Sequence, residues 1–188
     1  MSENTRSQRE RMLAGDPYVA DDPELAALSA RARRLQDAYH RASVAEDPSA
    51  RDLLVDLLGE CGDEVEVRPP LFVDYGEHLR IGARTFVNYN LTALDCALVT
   101  IGEDCQIGPG VQLLTATHPL EPGPRRDKVE AAEPITLGDN VWLGGGVIVC
   151  PGVSIGDDSV VGAGSVVTKD IPAGVVAVGN PARVIRSL

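Results

Sequence analysis

A histidine stands where an otherwise regular sequence becomes irregular. His118 lies in LLTATHPLEPGPRRDKVEAAEPITLG, residues 113–138, and Pro119 follows it directly. An imidazole titrates near neutral pH and therefore suits a general base, which typically contributes about 10²–10⁴-fold to a rate. The other two histidines are His40, in a segment of helical pattern, and His78, in DYGEHLRIG. By position alone, a structural role explains His118 as well as a catalytic role does.

Basic side chains gather near the C-terminus of an acidic chain. The whole chain has a formal net charge of −11, whereas residues 160–188 contain three basic residues against one acid, Asp170. The three basic residues are Lys169, Arg183 and Arg186. Arginine suits phosphate groups because its planar guanidinium can donate two parallel hydrogen bonds. This local positive charge indicates either a site for a small polyanion or a set of solvated side chains.

The composition excludes several classes of protein. Binding to nucleic acid or to an anionic membrane depends on neutralising phosphates, which a chain of net charge −11 does poorly. No stretch is apolar over roughly 18 residues, so no membrane-spanning helix is expected, and MSENTRSQRERML lacks the apolar stretch of a signal peptide. The four cysteines show no CxxC spacing, so we expect reduced thiols in a cytoplasmic protein. With 44% apolar but only 4% aromatic residues, the core must be mainly aliphatic.

The elements that must position these side chains repeat every six residues. An apolar residue leads each hexad at Leu137, Leu143, Val149, Ile155, Val161 and Val167. The same spacing occurs earlier, at Ile81 and Val87 and again at Ile101, Ile107 and Leu113, with a shift of phase around ALDCAL. A six-residue period fits neither a helix nor an alternating hairpin, and it is typical of the hexapeptide β-helix, in which three hexads make one triangular coil. We therefore predict a mainly β fold, with a parallel β-helix over residues 63–188.

The stretch that contains His118 is predicted to be an excursion from this β-helix. Leu113 and Leu137 are 24 positions apart, a multiple of six, so the coil resumes in phase. The loop of residues 119–134 can leave the solenoid and arch toward a neighbouring coil. His118 would then lie at the root of the loop, where the coil still holds the backbone.

Residues 1–62 show a helical period instead. DPELAALSARARRLQDAYHRAS carries apolar residues at helical spacing, and an aspartate and a proline stand before Glu24, as at many helix starts. These apolar residues are Leu25, Leu28, Ala32, Leu35 and Tyr39. A second helix is predicted over DPSARDLLVDLLGECG, with Gly59 and Gly62 as stop signals. Neither helix can bury its apolar stripe alone, so both must pack on the rest of the chain.

Over nearly its whole length the sequence resembles the sugar O-acetyltransferases of the maltose and galactoside group. RMLAGDPYVADDPEL resembles their small N-terminal helical segment, and FVNYNLTALD, TATHPL and GDNVWLGGGVIVCPGVSIGDDSVVGAGSVVTKDIPAGVVAVGNPARVI resemble their core and C-terminal signature. Many acyltransferases share the hexapeptide repeat, whereas the three features together are specific to this group. The resemblance implies a homotrimer of left-handed parallel β-helices, active sites between neighbouring coils, acetyl-CoA as the donor, and no metal.

The resemblance also assigns residues to the acceptor side. It implies that His118 is the catalytic base and that Asn88, in VNYN, orients the base or binds the sugar, although an asparagine there could also simply form a turn. Further sugar contacts are implied for four acids, any of which could instead be solvated: Asp74, Asp95, Glu130 and Asp21. The galactoside enzymes have two adjacent carboxylates where this chain has Asp95 and Cys96. That difference favours a maltose or glucose type of acceptor over a galactoside.

On the donor side the resemblance implies contacts with coenzyme A. Those to phosphate or adenine groups are implied for Thr168, Lys169, Arg183 and Arg186. Gly145 and Ala163 would touch the pantetheine arm, since small side chains allow a ligand to approach closely, and the Gly145 N–H could stabilise an oxyanion. Trp142, the only tryptophan, matches a tryptophan beside the donor channel, although a single tryptophan is more often a packing residue.

Other functions compete with this reading. The same fold and histidine serve relatives that acetylate an antibiotic, an amino sugar or serine. The N-terminal segment, which resembles that of the maltose type, argues against such an acceptor. A zinc enzyme of the carbonic anhydrase type would need about three histidines around the metal, and the sequence has no HxxxxH pair. His118, Asn88 and the basic C-terminus argue against a scaffold without activity. No serine or cysteine adjoins His118 as an activated nucleophile, so direct transfer is favoured over an acyl-enzyme.

Overall fold

The computed structural model describes residues 6–188, so the first five residues of the predicted N-terminal segment lie outside it. Three helices, α1 (Gln8–Leu13), α2 (Pro23–Val44) and α3 (Ala50–Leu57), precede a β-helix, and the short α4 (Pro122–Arg126) lies in an excursion from it. Within the described residues, no helix has both the length and the apolar character needed to cross a bilayer. The prediction of a mainly β solenoid is confirmed.

The long helix α2 forms as its sequence predicts. Asp22 caps it, because one carboxylate oxygen accepts hydrogen bonds from the N–H groups of Glu24 and Leu25 at 2.9 and 3.2 Å. Pro23 occupies the first turn, where its missing N–H costs nothing. On its buried face, α2 presents Leu25, Ala32, Tyr39 and Ala42.

The second predicted helix is shorter than expected, and the reason lies in its glycines. The helix α3 ends at Leu57, and Glu60–Cys61 already forms a strand. A Cβ atom on Gly59 would lie 2.1 Å from the carbonyl oxygen of Glu77, and one on Gly62 would lie 2.4 Å from the backbone nitrogen of Ala83. These glycines therefore permit the next coil to approach closely, rather than only stopping a helix.

The strands stack into three flat faces. Face 1 contains β2 (Glu60–Cys61), β5 (Leu79–Ile81), β8 (Val99–Ile101), β13 (Ile135–Leu137) and β16 (Ser154–Ile155). Face 2 contains β3 (Glu66–Val67), β6 (Phe86–Val87), β9 (Gln106–Ile107), β14 (Trp142–Leu143), β17 (Val160–Val161) and β19 (Val175–Gly179), to which β20 (Ala182–Ser187) adds an antiparallel edge. Face 3 contains β4 (Leu71–Val73), β7 (Leu91–Leu94), β10 (Gln112–Leu114), β15 (Ile148–Val149) and β18 (Val166–Val167). Consecutive coils pair in parallel on every face.

The predicted lead residue of each hexad points inward and stacks on its equivalent in the next coil. On face 1, Ile81 pairs with Ile101, Ile101 with Leu137, and Leu137 with Ile155, and all four are at most 1% exposed. Each such side chain contributes roughly 1.5–3 kcal/mol by leaving water. The core is therefore a column of aliphatic side chains inside the triangle, as the low aromatic content requires.

The N-terminal helices cover the first coil of this column. The Tyr39 hydroxyl donates a hydrogen bond to the backbone carbonyl of Val67. The Gln36 side-chain amide bonds the backbone of Val73 in both directions, at 3.2 and 2.8 Å. Ala32 and Tyr39 of α2 pack in the same buried cluster as the core column, so the helices close its open end.

Departures from the six-residue period fall at one edge of the triangle. Corner 1 leads from face 1 to face 2, corner 2 leads from face 2 to face 3, and corner 3 leads from face 3 back to face 1. Across corner 3 the inward residues are eight positions apart from Val73 to Ile81 and 24 apart from Leu113 to Leu137, but six apart from Val149 to Ile155. Corner 3 therefore holds every insertion into these coils.

The excursion at corner 3 differs from the predicted free loop of residues 119–134. It begins with β11 (Ala116–Thr117), which pairs antiparallel with β12 (Val129–Ala132), and β1 (Tyr18–Val19) pairs with the other edge of β12. The N-terminal segment thus supplies a third strand to the excursion. Sequence periodicity missed it because these strands are short and lie far apart along the chain.

We predict that neighbouring residues of one strand differ sharply in their effect on stability. Ile101→Ala should lower the free energy of unfolding by about 2–5 kcal/mol, because it leaves a cavity in the core column. Thr100→Ala, at the outward position beside it, should change stability by less than about 0.5 kcal/mol. Denaturant unfolding of both variants checks this. Equal losses would contradict the inward and outward assignment.

Candidate functional site

A groove along corner 2 brings together four of the residues predicted for the site. It has a volume of about 490 Å³, and its lining includes Asn88, Trp142, Gly145 and Ala163. Trp142 is 56% exposed on the outer side of face 2, between Gln106 and Val160 of the neighbouring coils. An exposed indole at this place is free to contact a ligand.

The groove exists because corner 2 is built from small residues in three successive coils. These corners read Gly108-Pro109, Gly144-Gly145 and Gly162-Ala163. A Cβ on Gly108 would lie 2.6 Å from the Gly145 nitrogen, so the coils can stack this closely only with glycine there. Among the described residues, the Gly145 N–H donates to no other group and remains available to a ligand.

The predicted anion-binding residues fall into two places. Arg183 and Arg186 are exposed on β20, which borders face 2 through β19, so they lie at one end of the face that carries the groove. Thr168 and Lys169 are exposed too, but they follow β18 toward corner 3. Within one chain, therefore, Thr168 and Lys169 do not lie beside Arg183 and Arg186.

A polar cluster lies at corner 3, where the N-terminal segment meets the excursion. The Tyr18 hydroxyl donates to a carboxylate oxygen of Glu130 at 3.0 Å. The Cys96 thiol donates to Asp74 at 3.4 Å and also lies beside Tyr18. Tyr18 and Cys96 are buried, whereas Asp74 and Glu130 are partly open. Two of the predicted acceptor contacts, Asp74 and Glu130, are thus neighbours in one cluster.

Asp95 lies under this cluster and corrects the expectation of a direct sugar contact. Its side chain is 0% exposed. One carboxylate oxygen accepts the N–H groups of Asp74 and Tyr75 at 3.0 and 2.9 Å, and the other accepts the N–H of His78 at 3.2 Å. A carboxylate so enclosed cannot reach a sugar, so we assign Asp95 to holding the turn of residues 74–78 in place.

Burial and charge shift the titration of this cluster. Burial raises the pKa of Asp74. The hydrogen bond from the Cys96 thiol opposes this shift, and the negative charge of Glu130 adds to it. Burial also raises the pKa of Asp95 and, together with the charge of Asp74, the pKa of the Cys96 thiol. Cys96 is therefore a hydrogen-bonding thiol and not a nucleophile.

His118 and Asn88 lie far apart within one chain. Asn88 precedes β7 at corner 2, whereas His118 is exposed just after β11, beyond the far end of face 3. Leu94 of β7 pairs with Leu114 of β10, so the whole width of face 3 separates the two residues. Asp21 is exposed between β1 and α2.

Sequence reasoning missed Tyr18 and the turn that Asp95 holds. Tyr18 stands in the quoted YVADDPEL, but only the pairing of β1 with β12 shows that it faces Glu130. A separate cleft of about 290 Å³ between α2 and face 3 contains none of the predicted site residues. Among the described residues, no three His, Cys, Asp or Glu side chains are grouped so as to hold a metal ion.

Comparisons with known protein families and known proteins give consistent matches. A family described as the maltose acetyltransferase hexapeptide capping motif matches residues 11–62, and the bacterial transferase hexapeptide family, with six repeats, matches residues 134–169. The galactoside O-acetyltransferase of Escherichia coli (strain K12) is 38% identical over 179 residues, which covers 95% of this chain and 88% of the relative.

Solved structures show the same likeness. A maltose O-acetyltransferase from Clostridium difficile 630 has a TM-score of 0.96 at 40% identity, covering 98% of this chain and 99% of that one. A hexapeptide-repeat-containing acetyltransferase from Vibrio cholerae O1 biovar eltor, complexed with acetyl coenzyme A, has a TM-score of 0.90 at 38% identity, covering 97% and 99% of the two chains.

The raised pKa of Asp74 predicts a stability that depends on pH. A carboxyl whose pKa is higher in the folded than in the unfolded state stabilises the protein below its unfolded pKa, and that contribution is lost as the pH rises through the folded pKa. Asp74→Asn should therefore be more stable than the wild type at pH 8, by about 0.5–2 kcal/mol. The difference should vanish near pH 2.5, more than one pH unit below the ordinary pKa of an aspartate, where the carboxyl is neutral in both states.

Unfolding free energies of both proteins at the two pH values check this, with the exposed Asp21→Asn as the matched control, for which we expect no difference at either pH. A loss of stability in Asp74→Asn at pH 8 would contradict the assignment.

Proposed function

The chain belongs to the maltose and galactoside O-acetyltransferase family of hexapeptide-repeat proteins and is an acyltransferase, and we propose that it transfers acetyl from acetyl-CoA to a hydroxyl of a sugar. The observation that carries the proposal is the groove at corner 2, in which the Gly145 N–H is available to a ligand and Trp142 is exposed. The chain that contains this groove is 38–40% identical to sugar acetyltransferases. The reactive histidine comes from the root of the excursion.

The donor fits the groove by size and charge. A pantetheine arm is narrow and weakly polar, and Gly145 and Ala163 leave room for one against the backbone. Arg183 and Arg186 on β20 offer the positive charge that the phosphates of coenzyme A need. Trp142 would pack beside the arm, and the Gly145 N–H would face the thioester oxygen.

A complete site requires a second copy of the chain, so the working protein is proposed to be a homotrimer. Outward residues of face 1 are polar: Glu60, Arg80, Thr100, Thr136 and Ser154. Those of face 3 are uncharged: Phe72, Thr92, Gln112, Ile148 and Val166. Those of face 2 are uncharged as well, apart from Glu66 in the first coil and the two arginines, Arg183 and Arg186, of the edge strand β20. Two adjacent faces that are largely uncharged suit packing against neighbouring copies. In such an assembly, His118 of one copy can approach Asn88 in the groove of the next, and Thr168 and Lys169 can reach a donor held by its neighbour.

The reaction then needs one base and no acyl-enzyme. His118 takes the proton of the acceptor hydroxyl as the oxygen attacks the thioester carbonyl. The tetrahedral oxyanion faces the Gly145 N–H, and its collapse expels the thiolate of coenzyme A, which receives the proton back from His118. Asn88 would orient the imidazole or hold the sugar.

The acceptor pocket is proposed at corner 3, with Asp74, Glu130 and the exposed Asp21 as hydrogen-bond acceptors for sugar hydroxyls. Cys96 replaces a second carboxylate by a buried thiol bonded to Asp74, which favours maltose or glucose over a galactoside. The carboxylates of Asp74 and Glu130 have no basic partner in the cluster among the described residues. This excess of negative charge favours an amino sugar as the second class of acceptor.

We predict that His118→Ala loses about 10²–10⁴-fold in kcat, the usual contribution of a positioned base. The loss should appear with every accepted sugar, while acetyl-CoA binding is unchanged. The assay is thiol release from acetyl-CoA with maltose, glucose, a galactoside and glucosamine, followed by mass spectrometry of the product. His40→Ala, an exposed histidine on α2, serves as the control and should match the wild type. Equal rates for the wild type and His118→Ala would overturn the assignment of the base.

A further inference from the structure

Tyr18 is a buried tyrosine that has no part in the proposed reaction. It stands on β1, its side chain is 1% exposed, and its hydroxyl donates to Oε2 of Glu130 at 3.0 Å. In the register of the sheet, Tyr18 lies directly opposite Glu130 on β12. Side chains directly opposite each other on an antiparallel pair stand on the same side of the sheet, so the contact follows from the pairing of the two strands.

The backbone of β1 is held on both sides. From α1, Oε1 of Gln8 accepts the N–H of Val19 at 2.8 Å, and Nε of Arg11 donates to the carbonyl oxygen of Pro17 at 2.7 Å. On its other side, β1 pairs with β12. The starting point of the Tyr18 side chain is therefore set by the N-terminal segment and by the excursion together.

The Tyr18 ring packs in a second buried cluster, which is separate from the core column. Its other members come from the N-terminal helices, the turn of residues 74–78, the segment of residues 93–98 and β12, namely Met12, Leu25, Tyr75, Cys96, Ala97 and Ala132. Because these side chains enclose the ring, the hydroxyl is a donor at a fixed place.

The carboxylate of Glu130 depends on this donor. Glu130 is partly exposed on a strand of the excursion, and no hydrogen bond or ion pair joins its carboxylate to any described residue besides Tyr18. A glutamate side chain has two torsions with about three staggered wells each, followed by a broader third torsion. Without the hydroxyl, the carboxylate can leave the orientation in which its charge acts on Asp74.

A second neighbour of the hydroxyl is Cys96, whose thiol bonds Asp74 at 3.4 Å. A hydroxyl has one hydrogen to donate, and the geometry gives it to Glu130. The thiol keeps its own acceptor, Asp74, when the hydroxyl is removed. Removal of the hydroxyl therefore acts first on Glu130.

We propose that Tyr18 is a positioning residue for the acceptor: from the N-terminal segment, its hydroxyl holds the Glu130 carboxylate at the acceptor pocket. Without the hydroxyl, only a fraction of the molecules present Glu130 in the competent orientation, and the apparent affinity for the acceptor falls by that fraction. The inference rests on the proposed function, because it requires Glu130 to touch the acceptor.

The kinetic test removes one oxygen atom and keeps the ring that packs in the second cluster. Tyr18→Phe should raise the KM for the acceptor about three- to tenfold, as expected when one rotamer among several is competent. The kcat, set by His118, and the KM for acetyl-CoA, whose groove is at corner 2, should stay unchanged. The matched control is Tyr39→Phe, which also removes a buried hydroxyl bond between the N-terminal helices and the β-helix and should keep all three constants. An unchanged acceptor KM in Tyr18→Phe, or an equal rise in Tyr39→Phe, would overturn the proposal.

A double-mutant cycle shows whether the effect passes through Glu130. In Glu130→Ala the acceptor KM should already be raised, and the addition of Tyr18→Phe should raise it no further. In Glu130→Gln, whose amide oxygen can still accept the hydroxyl, Tyr18→Phe should still raise it. A full further rise in the Glu130→Ala background would show that Tyr18 acts by another route, such as Cys96, and would refute the proposal.

The hold on Glu130 is also measured without substrate. The urea midpoints of the wild type, Tyr18→Phe, Glu130→Ala and the double variant form a second cycle. Tyr18→Phe should lower the midpoint of the wild type more than that of Glu130→Ala, whereas equal shifts would refute the contact. A wild type that acetylates no sugar would overturn the kinetic role together with the proposed function, and this cycle would still decide whether Tyr18 holds Glu130.

Discussion

Each coil of the β-helix must place its inward residues over those of the coil before it, because the parallel strands of neighbouring coils share their backbone hydrogen bonds. On face 1 this places Ile101 between Ile81 and Leu137, although Ile101 and Leu137 are 36 positions apart in the sequence. The straight faces cannot absorb extra residues without losing register. Insertions are therefore confined to the corners, and in these coils they occur at corner 3. The same constraint leaves the side chains at the corners free of the core, and the proposed chemistry is located there.

In the proposed reaction, the two corners take different parts. Corner 2 is narrow and built of small residues, and it suits an extended donor lying against the backbone. Corner 3 is enlarged by its insertions and receives a strand from the N-terminal segment, which makes a polar pocket with Asp74, Glu130 and Tyr18. Face 3 separates the two corners within one chain. The proposed reaction therefore joins corner 3 of one copy to corner 2 of the next, and it makes the largely uncharged faces part of the catalytic machinery.

The sequence predicted the parts of this structure that repeat. Lead residues such as Ile101 and Leu137 could be placed by period alone, and α2 could be placed from its capping aspartate and its apolar spacing. The family resemblance implied roles for His118, Asn88 and the donor residues. The structure brings Asn88, Trp142, Gly145 and Ala163 together in one groove.

What could not be predicted depends on contacts between distant segments. The pairing of Tyr18 with Glu130 joins residues 112 positions apart, and no local pattern encodes it. Asp95 had the right residue type for a sugar contact, but its burial beneath the turn of residues 74–78 decides its role.

The central claim, that a working site takes His118 from one copy and Asn88 from another, is tested most directly by complementation. His118→Ala and Asn88→Ala are each purified alone, where each should be nearly inactive, and are then co-expressed as a mixture. Random mixing in equal amounts leaves both residues intact at about one quarter of the interfaces, so about a quarter of the wild-type rate should return. A mixture as inactive as its two components would show that both residues must lie in the same chain, and it would contradict the account.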